Sequence, residues 1–311
     1  MRFAVTKCHG SGNDFPLIDA RAIDLSDADW ARVARALADR GGPIGGDGIL
    51  LLTAGDDTAA FGMRMFNSDG SEAETCLNGL RCVARAGFAA LGVDAATVRL
   101  KTSRADAAHV ADILPGVYGV ETRAGPADTA PAAVGLRVPA PAIDTPIPGL
   151  PSDRAFTGVA MPNPHLVTFV DTVDQAELVA LGQWCEARPD LLVDRANVSF
   201  VEVRGADALF VRTFERGVGL TDACGSAMAA SVYAAVLTRR IAAGSWATVF
   251  NPGGRVRGRA DGTTVTIQGN ATFEWDGTVE VDLATGVASG LSIGQRHDDE
   301  VAAWAALVAA I

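Results

Sequence analysis

The order of elements in this chain is repeated in its two halves. In the first half, a glycine-rich turn leads to Cys76 and then to an apolar, alanine-rich stretch at 80–91. In the second half, another glycine-rich turn leads to Cys224 and a similar stretch at 227–237. Each stretch is long and apolar enough to predict a buried helix. Strand candidates precede each cysteine, so the pattern predicts a duplicated α+β protein with a cleft between its halves.

Short apolar runs bounded by glycine predict the strands of both halves. The candidates lie at 2–7, 15–19, 49–53 and 63–66 in the first half, and at 158–160, 166–170, 198–203 and 208–213 in the second. A helix is predicted at 26–38, because Ser26 begins a capping pattern and Trp30, Val33 and Leu37 follow at helical spacing.

The segment 125–151 is rich in proline, alanine and threonine, and we place the domain boundary near its start. Apolar residues at 134–138 and at Ile143 predict strand pieces inside it. The predicted domains are 1–126, with a strand near 272–285 that returns to it, and 127–271. The segment 286–311 is predicted to be a helical extension, because Trp304, Leu307 and Val308 have helical spacing. We expect this helix to pack on its own domain, with a dimer contact as the alternative.

Charge and composition exclude several classes of partner. The formal net charge is −11 at pH 7, so neither nucleic acid nor an anionic membrane surface is expected as a partner. No apolar run reaches the length of a membrane span, and no signal peptide is recognisable at the start. Five scattered cysteines, an odd number, do not suit a disulfide framework, so we expect a cytoplasmic protein with reduced thiols.

A thiol at the start of a helix lies beside free backbone N–H groups and the positive end of the helix dipole. Such a position stabilises a thiolate and can also hold a carboxylate. Two such thiols on opposite faces of one carbon could remove a proton and return another with inversion. Cys76 and Cys224 are therefore candidate catalytic bases, although buried cysteines are often only structural. We assign that structural role to Cys8, Cys82 and Cys185.

Two competing chemistries find little support in the sequence. No Cys-x-x-Cys pair occurs and the four histidines are scattered, which argues against a zinc site. Only Lys7 and Lys101 are present, and neither lies in a setting that suits a pyridoxal phosphate Schiff base. We therefore expect neither a metal nor a cofactor.

Six ordered motifs make the chain resemble the diaminopimelate epimerase family from residue 3 to about residue 285. They are 7–15 (KCHGSGNDF), 45–48 (GGDG), 67–79 (NSDGSEAETCLNG), 162–165 (PNPH), 197–201 (NVSFV) and 215–226 (ERGVGLTDACGS). The resemblance implies an α+β fold of two pseudo-symmetric domains. Each domain would be a curved, mostly antiparallel sheet around a buried helix, with the active-site cleft between the domains. It also implies a homodimer, no cofactor and a small amino-acid substrate.

The resemblance also implies roles for individual residues. Cys76 and Cys224 would be the two bases, His165 would lie close to the thiols, and Glu215 would accept the substrate ammonium. The substrate would be held by Asn13, Asn67, Leu77, Asn78, Asn163, Asn197, Glu215, Arg216, Gly225 and Ser226. Amide side chains both donate and accept hydrogen bonds, and an arginine can hold a carboxylate with two parallel bonds.

The chain departs from the family at the reacting end of the site. Leu77 follows the first cysteine where the family has glycine, and Ala227 and Met228 replace a glycine and a small residue. Leu220 replaces a glutamate of the family pattern, and Pro43 replaces a glycine. The leading hypothesis is epimerisation of LL-diaminopimelate to the meso form, and racemisation of another amino acid by the same thiols is the alternative. Acyl transfer by Cys224 with His165 and a catalytically inactive binding protein are two further hypotheses.

Overall fold

The computed structural model describes residues 1–310 of the 311. Its helices are α1 (Asp27–Ala38), α2 (Leu77–Leu91), α3 (Pro131–Val134), α4 (Gln175–Glu186), α5 (Gly225–Leu237) and α6 (Asp298–Val308). Its strands are β1 (Arg2–Gly10), β2 (Asn13–Asp19), β3 (Gly48–Asp56), β4 (Ala59–Asn67), β5 (Glu72–Ala73), β6 (Ala95–Arg99), β7 (Arg104–Val110), β8 (Gly119–Ala124), β9 (Phe156–Ala160), β10 (Pro164–Val170), β11 (Asn197–Gly205), β12 (Ala208–Glu215), β13 (Gly219–Thr221), β14 (Ala247–Asn251), β15 (Gly254–Asp261), β16 (Thr264–Asn270), β17 (Thr272–Asp282) and β18 (Val287–Arg296). None of the helices within 1–310 is long and apolar enough to span a membrane.

The chain divides into two compact units. Unit 1 comprises Met1–Thr122 and the described residues from Gln268 onward, and unit 2 is Arg123–Ile267. The predicted strands outside the segment 125–151 and the helices α1, α2 and α5 are all present, most of them a few residues longer than the patterns indicated. The proposed domain limits of 126, 271 and 286 stay a prediction.

Strand pairing follows the same sequence of directions in both units. In unit 1, β1–β2 and β3–β4 are antiparallel, β2–β3 and β4–β6 are parallel, and β6–β7 is antiparallel. In unit 2, the pairs β9–β10, β10–β11, β11–β12, β12–β14 and β14–β15 repeat that order. A helix lies in the chain between the strands of each parallel pair, because parallel neighbours need a crossover connection. The two units are therefore pseudo-symmetric α+β structures, as predicted.

One apolar helix lies at the centre of each unit. Strands β1, β2, β3, β4, β6 and β7 contact α2, and strands β9, β10, β11, β12, β14 and β15 contact α5. Ten residues of α5, from Gly225 to Ala235, are buried, and small alanine side chains let the surrounding strands approach. Each sheet thus wraps a helix whose first residue follows one of the two candidate cysteines.

Two expectations about the less regular segments are wrong. Strand pieces were expected at 134–138 and Ile143, but the structure has the short helix α3 and then loops joined by isolated bridges, one of them between Leu136 and Leu192. This segment is no exposed linker, because Val134, Leu136 and Ile147 are buried in the core of unit 2. Repeated prolines remove the N–H donors that a strand ladder needs, so the apolar residues are buried without forming a strand.

The segment 286–311 was predicted to be helical, and its first half is not. Residues Val287–Arg296 form β18, which pairs antiparallel with β17, and the helix α6 begins only at Asp298. Most of β18 is solvent-exposed, so its strand pattern in the sequence is weak. Trp304 and Leu307 of α6 pack against Val117 within unit 1, whereas Ile311 lies outside the described residues. In the same unit, β17 pairs along the length of β1.

Candidate active site

Cys76 lies at the point where the chain leaves β5 and enters α2. It is the N-cap of the helix, with an extended backbone at φ −147° and ψ 102°, and its Sγ accepts a hydrogen bond from the Gly79 N–H at 3.3 Å. A Cβ at Gly79 would lie 2.5 Å from the Leu50 Cδ2 methyl, so a larger residue there would displace the Leu50 side chain between α2 and β3. The thiol therefore occupies a capping position normally filled by a serine or aspartate oxygen.

Two asparagines lie beside the Cys76 thiol. The side-chain oxygen of Asn13 is 3.8 Å from Cys76 Sγ and 3.4 Å from Asn78 Nδ2. The amide of Asn13 donates to the carboxylate of Asp47 in the loop before β3. That bond fixes the orientation of the Asn13 amide, so its oxygen and not its nitrogen is turned towards the thiol.

Behind Asn78 lies Arg81, whose side chain is completely buried. Its guanidinium donates to the Asn78 side-chain oxygen and to Ser11 Oγ, both at 3.0 Å, and to the Asn270 carbonyl at 2.9 Å. Gly10 makes this contact possible, since a Cβ there would lie 2.5 Å from the Asn78 carbonyl. The first turn of α2 is thus tied to Ser11, in the turn after β1, and to residue 270 through one arginine.

The remaining predicted residues of unit 1 lie on either side of the thiol along the chain. Asn67 ends β4, and its side chain donates to Ser71 Oγ at 3.0 Å within the turn that precedes β5. Leu77 is the first residue of α2 and is 6% exposed. It is absent from the residues with positive φ, so the leucine replaces the family's glycine without backbone strain.

Cys224 holds the equivalent place in unit 2, as the N-cap of α5 with φ −117° and ψ 113°. Its thiol makes no capping hydrogen bond and lies 3.5 Å from the hydroxyl of Ser226, and the next residue, Gly225, begins the buried helix. Burial raises the pKa of the Cys224 thiol well above its ordinary value, and the negative charge of Glu215 raises it further. Cys224 is therefore a neutral thiol at pH 7.

Glu215 is the last residue of β12 and Thr221 the last of β13, the strand that pairs with it. The Thr221 hydroxyl donates to the Glu215 carboxylate. This bond helps to hold the Glu215 carboxylate close to Cys224. The closeness explains why the negative charge of Glu215 raises the pKa of the Cys224 thiol. A carboxylate in this place can accept either the thiol proton or a substrate ammonium.

His165 is fully buried and joins two of the predicted asparagines. Its Nε2 is 3.0 Å from Asn163 Oδ1 and 3.5 Å from Asn197 Nδ2, and Asn197 is its partner in the parallel pairing of β10 with β11. Burial, assisted by the charge of Arg216, lowers the pKa of His165 to about 3, so the ring is neutral at pH 7. Its Nδ1 has no hydrogen-bond partner within residues 1–310.

Arg216 is connected to this cluster through its backbone and not through its guanidinium. Its N–H donates to Asn197 Oδ1 at 2.9 Å, while the guanidinium lies 3.6 Å from Asp194 and is 29% exposed. The next residue, Gly217, has φ 75°, a left-handed conformation that favours glycine. The turn after β12 thus leaves the guanidinium available to a further anion.

The predicted residues thus form one group in unit 1, around the Cys76 thiol, and two separate groups in unit 2, one around the Cys224 thiol and one around His165. Unit 1 groups Cys76, Asn13 and Asn78, and unit 2 groups Cys224 with Ser226 and Glu215, and His165 with Asn163, Asn197 and Arg216. For Asn67, only its position in the sequence, at the end of β4 and shortly before Cys76, connects it with the first group. Within residues 1–310, no group of three or more His, Cys, Asp or Glu side chains is arranged to hold a metal ion.

Two further residues, Asp47 and Arg81, contribute to the site although no sequence motif predicts a role for either. In the sequence Asp47 is only part of a glycine turn, yet its carboxylate orients Asn13. Arg81 was included in an apolar stretch, yet its guanidinium is buried beside the first turn of α2. The available signal was a charged residue that lies one turn into the helix and is followed directly by the apolar run Cys82, Val83 and Ala84, because a charge placed among apolar residues needs specific partners.

Comparison with known proteins identifies close relatives. The family model described as Diaminopimelate epimerase matches residues 5–108 and 157–273. A diaminopimelate epimerase of Lactiplantibacillus plantarum is 38% identical over 294 residues, which cover 88% of this chain and 88% of that protein. One from Clostridium acetobutylicum is 36% identical over 286 residues, covering 89% of this chain and 86% of the relative.

Solved structures with much lower identity share the fold. A hydroxyproline epimerase from Agrobacterium vitis superimposes with a TM-score of 0.64 at 15% identity, covering 89% of this chain and 92% of that one. A phenazine biosynthesis protein of the PhzF family from Bacillus anthracis gives a TM-score of 0.63 at 14% identity, covering 90% of this chain and 100% of the other. At such identities the likeness extends to the fold alone.

Proposed function

Because the chain belongs to the diaminopimelate epimerase family, we propose that it converts LL-diaminopimelate to the meso form by proton transfer between Cys76 and Cys224. The product would serve lysine and peptidoglycan precursor synthesis. The chain is an enzyme of the isomerase class. The observation that carries the mechanism is the equivalent placement of the two thiols, each the N-cap of the central helix of its unit.

The proposed reaction moves one proton off the α-carbon and another onto it. A Cys76 thiolate takes the α-proton from one face, and the Cys224 thiol gives its proton to the opposite face of the resulting carbanion. The configuration is inverted, Cys76 ends as a thiol and Cys224 as a thiolate, and no atom is gained or lost overall. The reverse reaction uses the same groups with their protonation states exchanged.

The difference between the two thiols supports this order of events. Burial and Glu215 keep Cys224 protonated, which suits a proton donor. Cys76 accepts a backbone N–H hydrogen bond at the positive end of α2, which suits a proton acceptor. Backbone N–H groups at both helix starts, including those of Leu77 and Gly225, would hold the substrate carboxylate as charge develops on it.

The second amino-acid group of diaminopimelate needs its own polar contacts. We propose that Arg216 binds the distal carboxylate and that Asn67, Asn163 and Asn197 bind the distal ammonium and carboxylate, whereas Glu215 accepts the ammonium at the reacting carbon. The Arg216 side chain is partly exposed and its guanidinium makes only a long ion pair, at 3.6 Å, which supports this role. His165, neutral and hydrogen-bonded to Asn163, would hold that amide in place. Asn13 and Asn78 would contact the substrate beside Cys76.

One observation favours a second candidate, the racemisation of another amino acid by the same thiols. Leu77 lies directly after Cys76 at the start of α2, where the family has glycine. A leucine side chain there changes the shape of the site next to the reacting carbon and could select a different substrate. Cofactor independence, a homodimer and a cytoplasmic location stay predictions of the sequence.

The test is incorporation of solvent deuterium at the α-carbon, measured by NMR on a panel of amino acids. We expect diaminopimelate to exchange far faster than alanine, proline or lysine, without added pyridoxal phosphate and in the presence of a metal chelator. Exchange that is fastest for a monocarboxylic amino acid would favour the second candidate. No exchange with any amino acid, from a folded and reduced protein, would exclude both.

A further inference from the structure

The largest fully buried side chain within residues 1–310 is not an aromatic one but that of Arg81. An arginine is seldom removed completely from water unless a carboxylate accompanies it, because an unpaired charge is costly in an apolar interior. Every hydrogen-bond acceptor that surrounds this guanidinium is neutral. The acceptors are the carbonyl oxygens of Leu77 and Asn270, the side-chain oxygen of Asn78 and the hydroxyl of Ser11.

Burial lowers the pKa of Arg81 to about 10, so the side chain still carries its positive charge at pH 7. No ion pair joins it to any Asp or Glu among residues 1–310. The protein therefore holds an uncompensated cation directly beneath the first turn of α2. A positive charge of this kind stabilises whatever negative charge forms close by.

Only two titratable groups favour the charged form of Arg81, and both are thiols, those of Cys82 and Cys76. Cys82 is fully buried in the helix interior, whereas Cys76 is partly exposed at the helix start. We propose that Arg81 is a positioning residue whose buried charge stabilises the thiolate of Cys76 and orients Asn78 beside it. This inference rests on the proposed function, since it concerns the proton acceptor of that reaction.

The other charges around Cys76 and Arg81 do not replace this effect. On β1, β2 and the adjoining loops they form a network in which each cation is paired with a carboxylate: Lys7 with Asp14, and Arg40 with Asp14 and Asp47. His9 on β1 is neutral, because burial lowers its pKa to about 4. From α6, Glu300 faces this region but is held by both nitrogens of Arg85 at 2.6 and 2.7 Å. From β17, Glu274 has a raised pKa through burial.

Unit 2 has no counterpart of this cation. The residue at the fifth position of α2 is Arg81, and the residue at the fifth position of α5 is Ala229, which is buried. Instead a carboxylate, Glu215, lies near Cys224 and disfavours its thiolate. The two helix starts are therefore alike in backbone and opposite in charge, which a purely structural arginine would not require.

The experiment measures the pH dependence of iodoacetamide alkylation at Cys76, followed by peptide mass spectrometry in a Cys224→Ala background. Arg81→Met, which removes the charge and keeps much of the volume, should raise the alkylation midpoint by about one pH unit. At pH 7 the alkylation rate should fall by about tenfold. The matched control is Arg85→Met, one turn further along α2, which removes an arginine already paired with Glu300 and should leave the midpoint unchanged.

Three outcomes would overturn the proposal. One is an unchanged midpoint in folded Arg81→Met, and another is an equal upward shift in Arg81→Lys, which retains the charge. A third is a midpoint near the ordinary value of about 8.5 in the Cys224→Ala parent, which would mean that no thiolate is stabilised there, and Arg81→Gln replaces Arg81→Met should the latter fail to fold. Alkylation needs no turnover, so this test can fail while deuterium exchange succeeds, and the converse also holds.

Discussion

Asn13 donates its side-chain amide to the carboxylate of Asp47, and this bond turns the Asn13 oxygen towards the thiol of Cys76. The same carboxylate accepts the backbone N–H of Asp14 at 3.1 Å and lies 2.7 Å from Arg40. Asp47 is thus held from three sides while its own side chain remains at the surface. An amide beside a thiol can be turned either way, and here a carboxylate outside the site decides which way.

Replacing Asp47 should impair the reaction without unfolding unit 1. In Asp47→Ala the Asn13 amide can rotate and present its nitrogen to the thiol, and the loss of a hydrogen bond to a charged group predicts about a 10- to 100-fold lower kcat. The check is deuterium exchange into diaminopimelate, with the unfolding transition recorded alongside. Asp57→Ala, in the exposed turn between β3 and β4, is the control and should keep the parent rate.

Under the proposed mechanism, Cys76 and Cys224 should each be indispensable. Cys76→Ala or Cys224→Ala leaves one face of the carbon without a proton donor or acceptor, so epimerisation should fall by at least about 10³-fold. Cys8→Ala, Cys82→Ala and Cys185→Ala are matched controls, because all three thiols are fully buried and none lies at a helix start. Full epimerisation by either of the first two variants would rule out the two-base mechanism.

Arg216→Ala should change substrate preference more than stability. Its guanidinium is partly exposed and its one ion pair, with Asp194, spans 3.6 Å, so its contribution to folding is about 1 kcal/mol or less. Loss of the proposed contact to the distal carboxylate should lower kcat/KM for diaminopimelate by about 10- to 100-fold and leave alanine exchange nearly unaltered. Arg188→Ala, which removes another ion pair to Asp194, serves as the control. An unchanged preference would remove Arg216 from the binding site.

Stability should fall in alkaline solution because of buried thiols. Burial raises the pKa of Cys8 and Cys224 and raises that of Cys185 to about 12, so the folded chain keeps protons that the unfolded chain releases near pH 8.5. The unfolded state then binds fewer protons, and the free energy of unfolding decreases as pH rises above that value. The slope is about 1.4 kcal/mol per pH unit for each thiol.

Urea unfolding under reducing conditions between pH 8 and 10.5 measures this slope. Cys185→Ala should reduce it by the contribution of one thiol, while its stability at pH 7 changes little. The chain has only two lysines and two tyrosines, so few other groups titrate in this range. A free energy of unfolding that is constant between pH 8 and 10.5 would contradict the prediction.

Much of the architecture could be predicted because its causes are local. Ser26 caps α1 through the Asp29 N–H, as the capping pattern indicated, and both cysteines precede the apolar helices that the composition marked. Apolar runs between glycines located the main strands, because alternation and turn residues act within a few positions of each other. The placement of two thiols at two helix starts followed from the same local patterns.

Other features depended on partners far along the chain. Strand β18 exists because β17 pairs with it, and β17 in turn pairs with β1, some 270 residues away. The proline-rich segment after Pro126 was assigned strand pieces, whereas contacts with Leu192 and Phe156 hold it as buried loops. Pairing and burial of this kind depend on which distant surfaces meet. A local sequence pattern does not contain that information.

The sequence by itself determined the residue types of the site, their order and their attachment to helix starts, since these depend on short-range backbone chemistry. Only the tertiary structure decided which charged side chain lies close to each of the two thiols. Arg81 and Glu215 are both ordinary charged residues in the sequence, yet folding buries one beneath Cys76 and sets the other beside Cys224. Removal from water makes each charge act strongly on its neighbours, and the extent of that removal is a property of the folded chain alone.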